Sequence, residues 1–160
     1  MSMVKRFRPI VLFLIAAAFL AGTSAPAVAA PNGKLSRVPG SDERHASGQA
    51  VLGVLTFDRV TGMPGDDQLV WYTANLSVTC RGLTPGATYI VVSDWVDKSV
   101  WWSFTASARG SGNAEGPVWV KYWIPVKTSI PASFSPVDVR VYRDDGTGSG
   151  TLVLEGWVSP

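Results

Sequence analysis

Residues 70–80 read VWYTANLSVTC, and this stretch decides the class of fold. Apolar side chains occupy every second position from Val70 to Cys80, and mostly polar side chains lie between them. Because successive side chains of a strand point to opposite faces, the alternation predicts a strand with one face in a core and the other in solvent. Trp71 belongs to the more polar set, so the pattern places an indole on the solvent side.

Short runs of the same kind, rich in Val, Thr, Tyr and Trp, recur along the chain and are separated by Gly, Pro and Asp. None of them repeats with the 3.6-residue period of an amphipathic helix. This pattern is typical of an all-β fold, a single antiparallel β-sandwich. We predict about seven strands, at residues 49–57, 68–80, 88–96, 99–108, 117–124, 137–143 and 151–158.

Residues 82–89 read GLTPGATY and follow directly on the first stretch. Leu83, Pro85 and Tyr89 have the spacing of the tyrosine-corner segment, and over about twenty residues the chain resembles fibronectin type III and other Ig-like domains. The resemblance implies an Ig-like β-sandwich in which the Tyr89 ring packs in the core and its hydroxyl bonds nearby backbone. It implies no catalytic residues, so function has to be argued from a site.

The N-terminus has the three parts of a secretory signal peptide. A basic cluster over residues 5–8 precedes an uncharged apolar run over 10–20, and Ala-Val-Ala at 27–29 fits the cleavage pattern. The apolar run has 11 residues, whereas a membrane-spanning helix needs about 20. We therefore expect residues 1–29 to be removed and the mature protein to be secreted, extracellular or periplasmic, in the manner of bacterial exported proteins.

Cleavage changes the net charge. The full chain has 14 basic and 12 acidic residues, and three of the basic ones, Lys5, Arg6 and Arg8, leave with the signal peptide. The mature chain of 131 residues then has 11 basic and 12 acidic residues, a net charge of −1. Since no Lys/Arg cluster remains, we expect neither nucleic acid nor a membrane surface as a partner after cleavage.

Residues 30–48 have little apolar alternation and several Pro and Gly, so they are predicted to form a flexible linker before a single domain at 49–160. The only histidine, His45, lies in this linker, which argues against a Ser-His-Asp triad and against a multi-histidine metal site. The only cysteine, Cys80, alternates with apolar residues and is expected to pack in the core. Pairing between two chains is the alternative.

The acidic residues leave two alternatives open. Adjacent aspartates at 66–67 and at 144–145 lie in Gly-rich segments and offer calcium ligands, although turns use the same residue types. Glycoside hydrolysis needs two carboxylates at a fixed separation, which the spacing does not set. The candidates for that pair are Asp94, Asp97, Glu115 and Glu155. We expect no enzymatic activity, no cofactor and no bound metal.

Seven tryptophans are the most unusual feature of the composition. Alternation places five of them on the more polar faces of their strands, and exposed aromatic clusters usually mark binding sites. Indole faces stack on sugar rings and also anchor protein partners. The candidate ligand-binding residues are Trp71, Trp101, Trp119, Trp123 and Trp157.

We therefore predict a non-enzymatic binding module whose partner is an extracellular protein or a glycan. A carbohydrate-binding domain acting through Trp101, Trp119 and Trp123 is the alternative, and a small secreted hydrolase is the second alternative. The rings also have a purely structural explanation, in which the segments 58–67 and 125–136 cover them.

Overall fold

The computed structural model describes residues 32–63, 65–95, 98–147 and 150–160, so the predicted signal peptide lies outside the described residues. The described part is all-β and contains ten strands. They are β1 (Asn32–Arg37), β2 (Ser47–Leu52), β3 (Thr56–Thr61), β4 (Gln68–Arg81), β5 (Thr88–Trp95), β6 (Lys98–Thr105), β7 (Gly112–Ile124), β8 (Ser133–Phe134), β9 (Val137–Arg143) and β10 (Thr151–Val158).

The strands form one antiparallel sheet that curls on itself in the order β6-β5-β9-β10-β1-β2-β4-β7-β8, with β3 paired to β4. The junction is β1, whose residues 32–35 pair with β2 and whose residues 36–37 pair with β10. We call β2, β3, β4, β7 and β8 the front half of the sheet, and β5, β6, β9 and β10 the back half. The curled arrangement is compatible with a β-sandwich.

The core lies between the two halves. Its largest fully buried side chains come from both halves and from the junction, and they include Leu35, Leu76, Tyr89 and Leu154. Two glycines of β7 let aromatic side chains of β6 approach the front half. The rings of Phe104 and Trp102 occupy the space that a Cβ would need at Gly112 and Gly116 respectively. Residues 102 and 104 therefore close the core from the back half.

Of the segment predicted as a flexible linker, residues 30–48, the structure describes residues 32–48, and these contribute strands to the sheet. The segment contains β1 and the first two residues of β2, and Leu35 within it is completely buried. Leu35 is the single apolar residue among polar ones in β1, so the sequence shows no alternation there. Backbone pairing with β2 and β10 places β1 in the sheet. The folded unit of the described chain thus begins before residue 49.

Further boundaries differ from the sequence-based prediction, and among them the strand predicted at 117–124 already begins at Gly112. The strand predicted at 49–57 is two strands, with β2 ending at Leu52 and β3 beginning at Thr56. All six residues of β3 are exposed, so it lacks the alternation by which strands are recognised. The connection predicted at 125–136 contains the two-residue strand β8, which pairs with the end of β7.

Replacing Leu35 with Ala tests whether β1 belongs to the folded unit. Because Leu35 is fully buried, we expect Leu35→Ala to lower the free energy of unfolding by about 2–5 kcal/mol, measured by urea denaturation. The adjacent Ser36→Ala, at an exposed position, should change it by less than about 0.5 kcal/mol. Equal stabilities of the two variants would show that residues 32–37 are not integrated in the sheet.

Candidate functional site: the tryptophan face

The register of β4 against β7 gathers three tryptophans on one side of the front half. Trp71 lies directly opposite Lys121. Trp119 and Trp123 lie two positions before and after Lys121 on β7, so they share its face. Diagonal neighbours across an antiparallel pair are about 7–8 Å apart, which places both indoles beside Trp71. The core-facing residues of these strands, such as Val118, point the other way.

Trp71 lies between two cations. Arg59 is its cross-strand neighbour on β3, as Lys121 is on β7. The guanidinium carbon of Arg59 and the Nζ of Lys121 are each 4.8 Å from the centroid of the Trp71 ring. The Trp71 Nε1–H donates a hydrogen bond of 3.0 Å to Thr61 Oγ1. Cation–π contacts contribute about 0.5–1 kcal/mol each at exposed positions, so these neighbours hold the indole in place.

We call Arg59, Trp71, Trp119, Lys121 and Trp123 the tryptophan face. The three indoles are half-buried. Lys121 is only 7% exposed, whereas the side chain of Arg59 is 54% exposed. Arg59 is therefore the accessible cation of this face, whereas Lys121 is nearly buried beside the Trp71 ring.

The core-facing side of the same strands is also aromatic at this end. Phe57 meets Tyr72 edge-on, with ring centroids 6.3 Å apart. Phe134 packs against both Tyr72 and Tyr122, at centroid distances of 5.8 and 4.7 Å. Phe57 remains 60% exposed and Phe134 36% exposed, so the back half does not fully cover these rings. The front half thus carries partly exposed aromatic side chains on both faces.

Exposed apolar side chains are also concentrated near this end of the front half. Among the described residues, all the large apolar side chains that are exposed belong to β3, to its flanking loops or to the 125–134 segment, with Trp157 as the exception. Soluble monomers seldom concentrate exposed apolar side chains unless the surface binds something. The members of this group are Val54, Phe57, Val60, Met63, Val126, Ile130 and Phe134.

The other two predicted tryptophans do not join this cluster in the described structure. Trp157 lies opposite Asp138 in the back half and is 59% exposed. Trp101 lies on β6 opposite Val92, and its side chain is outside the described residues. The structure therefore brings together Trp71, Trp119 and Trp123.

The Tyr89 segment turns the chain from β4 to β5. Tyr89 is fully buried and Leu83 nearly so, while Pro85 is exposed. The Tyr89 hydroxyl accepts a hydrogen bond of 3.0 Å from the Thr84 N–H and donates one of 2.5 Å to Glu43 Oε1. Sequence analysis missed Glu43 because it lies in the segment taken for a linker, and no motif there signalled a buried carboxylate.

The remaining candidates for chemistry are dispersed. Cys80 is buried in the core, and burial raises the pKa of its thiol to about 12. His45 is exposed in the loop before β2. Within the described ranges, no three His, Cys, Asp or Glu side chains lie together as metal ligands.

The paired aspartates have structural partners. Asp67 accepts a hydrogen bond of 3.0 Å from the Val126 N–H, and Asp66 pairs with Lys127, which ties the β3–β4 loop to the 125–127 segment. The carboxylates of residues 144–145 accept backbone N–H groups two residues further on, as turn aspartates do. These contacts give the four aspartates a structural role in turns and loops.

The carboxylates considered for hydrolysis do not converge among the described side chains. Glu115 lies opposite Ser77 on the outer face of the front half. Glu155 lies opposite Arg140 on the outer face of the back half. The side chain of Asp94 and residue Asp97 are outside the described residues. Glu115 and Glu155 therefore cannot flank one glycosidic bond.

Comparison with protein-family models, with curated proteins and with solved structures gives no match. No helix in the described part of the chain has the length and hydropathy to cross a membrane. The functional argument therefore depends on the geometry of the tryptophan face.

Alkaline pH should destabilise the protein through two buried groups. Burial raises the pKa of Cys80 from 9.0 to about 12, and burial with the Glu43 hydrogen bond raises that of Tyr89 from 10.0 to about 12. Above pH 9 the unfolded chain loses protons that the folded chain keeps, so stability falls as the pH rises. Cys80→Ala should make this fall shallower in urea denaturation series, and an unchanged pH dependence would contradict the burial of the thiol.

Proposed function

We propose that the protein is a secreted binding module with an Ig-like β-sandwich fold, exported after loss of residues 1–29. The curled sheet with a common core supports the sandwich, and the buried Tyr89 with its Thr84 and Glu43 contacts supports the Ig-like corner. The three-part N-terminal pattern supports export. An extracellular protein or a glycan is the proposed partner.

One observation carries this proposal: the tryptophan face combines three half-buried indoles and an accessible arginine on one regular surface. Tryptophan and arginine are the side chains that contribute most at binding interfaces. Their positions are set by strands and by cation–π contacts, so little conformational entropy remains to be lost when a ligand binds.

Carbohydrate binding is the second candidate function, and the spacing of two indoles favours it. Trp119 and Trp123 lie four residues apart on one strand, which separates them by about 13 Å. Flat rings at such intervals along a straight strand suit an extended chain of sugar rings better than a compact ligand. The hydrolase alternative has less support, because Glu115 and Glu155 face away from each other.

The experiment compares binding of three single variants to a glycan array and to an array of extracellular proteins. We expect Trp119→Ala and Trp123→Ala to weaken binding at least ten-fold, as interface tryptophans do when they contribute about 2 kcal/mol or more. Trp157→Ala is the matched control, since Trp157 is an exposed tryptophan of the back half.

Equal losses in all three variants, or binding that only Trp157→Ala weakens, would contradict the assignment to the tryptophan face. Absence of binding on both arrays would contradict the binding module itself. Thermal denaturation of each variant distinguishes lost binding from lost folding.

A further inference from the structure

Two cations share the tryptophan face, and they differ in accessibility. Arg59 has a half-exposed side chain and bonds Asp58 Oδ2 at 2.8 Å through one of its nitrogens. A guanidinium has five N–H donors in a planar fork, so the bond to Asp58 uses only part of its capacity. Lys121 is nearly buried beside the Trp71 ring, where water screens its charge less than at the surface.

The positive charge of this face is local. After the expected cleavage the whole chain has a net charge of −1, yet Arg59 and Lys121 flank the same indole. Asp58 lies at the margin, at a register shift of β3. In the adjoining loop Asp66 pairs with Lys127, and Asp67 accepts the Val126 N–H. A ligand on the tryptophan face therefore meets the exposed guanidinium of Arg59, whereas Lys121 is nearly buried.

We propose that the tryptophan face binds an acidic polysaccharide, a chain of sugars that carry carboxylate groups. In this arrangement Trp119 and Trp123 stack on sugar rings, and Arg59 pairs with a carboxylate of the chain. Lys121 is nearly buried beside the Trp71 ring and does not contact the ligand. This inference depends on the carbohydrate-binding form of the proposed function and specifies its ligand class.

The geometry favours this class over a neutral glycan for a physical reason. Arg59 pairs with Asp58 through one nitrogen, so a neutral sugar would offer the remaining N–H donors only uncharged acceptors, which form weaker hydrogen bonds than a carboxylate does. A carboxylate satisfies the planar guanidinium fork with two parallel hydrogen bonds. The backbone positions of Trp119 and Trp123 are about 13 Å apart along β7, which is longer than a single sugar ring, so a ligand that stacks on both spans several residues of the polymer.

The test uses a matched pair of polymers, polygalacturonate and its fully methyl-esterified form, in affinity electrophoresis with the full mature chain. The two share a backbone and differ in charge. We expect roughly five-fold weaker binding to the ester than to the acid form, and a similar loss of affinity for the acid form in Arg59→Gln, the upper range for a half-exposed ion pair. Arg59→Lys should restore part of the loss, and Arg109→Gln, at an exposed turn position, is the control.

Each outcome decides the inference. Tighter binding to the acid form than to the ester, weakened by Arg59→Gln and by added salt but not by Arg109→Gln, supports it. Equal binding to acid and ester would overturn the acidic ligand class and leave carbohydrate binding in place. Binding to neither polymer overturns it as well, and the two arrays described above then show whether the binding module also fails. Melting temperatures of all variants identify any that have lost their fold.

Discussion

Thirteen consecutive residue pairs between β4 and β7 fix which side chains share a face in the front half. A slip of β7 by one residue would carry Trp119, Lys121 and Trp123 into the core and bring Val118 to the surface. The pairing of β4 with β7 thus determines both which side chains enter the core and which form the tryptophan face. Gly116 reinforces it, because only a glycine at that position accommodates the indole of Trp102. The proposed binding surface therefore depends on the same pairing that closes the core.

The other constraint is the junction that joins the two halves of the sheet. β1 pairs with β2 at one end and with β10 at the other, and Leu35 anchors it in the core. The loop that follows contains Glu43, which is 6% exposed and accepts a hydrogen bond from the Tyr89 hydroxyl. Since a buried carboxylate needs such partners, this contact links the junction to the turn between β4 and β5. The front half is thereby held against the back half at the end opposite the exposed aromatics.

Alternation along single strands was enough to predict β4, most of β7 and the side on which their tryptophans lie. It failed for β1 and β3, since one has a single core residue and the other is exposed throughout. It also could not identify Arg59, whose role comes from its partner Trp71 on the next strand. Cross-strand neighbours are not adjacent in sequence. Without knowledge of the strand pairing, an arginine in a segment predicted to be a loop cannot be recognised as part of a binding surface. Alternation along residues 119–123 puts Lys121 on the same face as Trp119 and Trp123. It does not show that Trp71 of β4 lies beside them.

Trp71 organises its face by holding Arg59 and Lys121 against its ring. The proton NMR shifts of those two side chains test this contact, because protons over an indole face move upfield. We expect upfield-shifted methylene protons for Arg59 and Lys121 in the native protein, and their return to ordinary values in Trp71→Leu. Unshifted methylene protons in the native protein, or shifts that persist in Trp71→Leu, would contradict it.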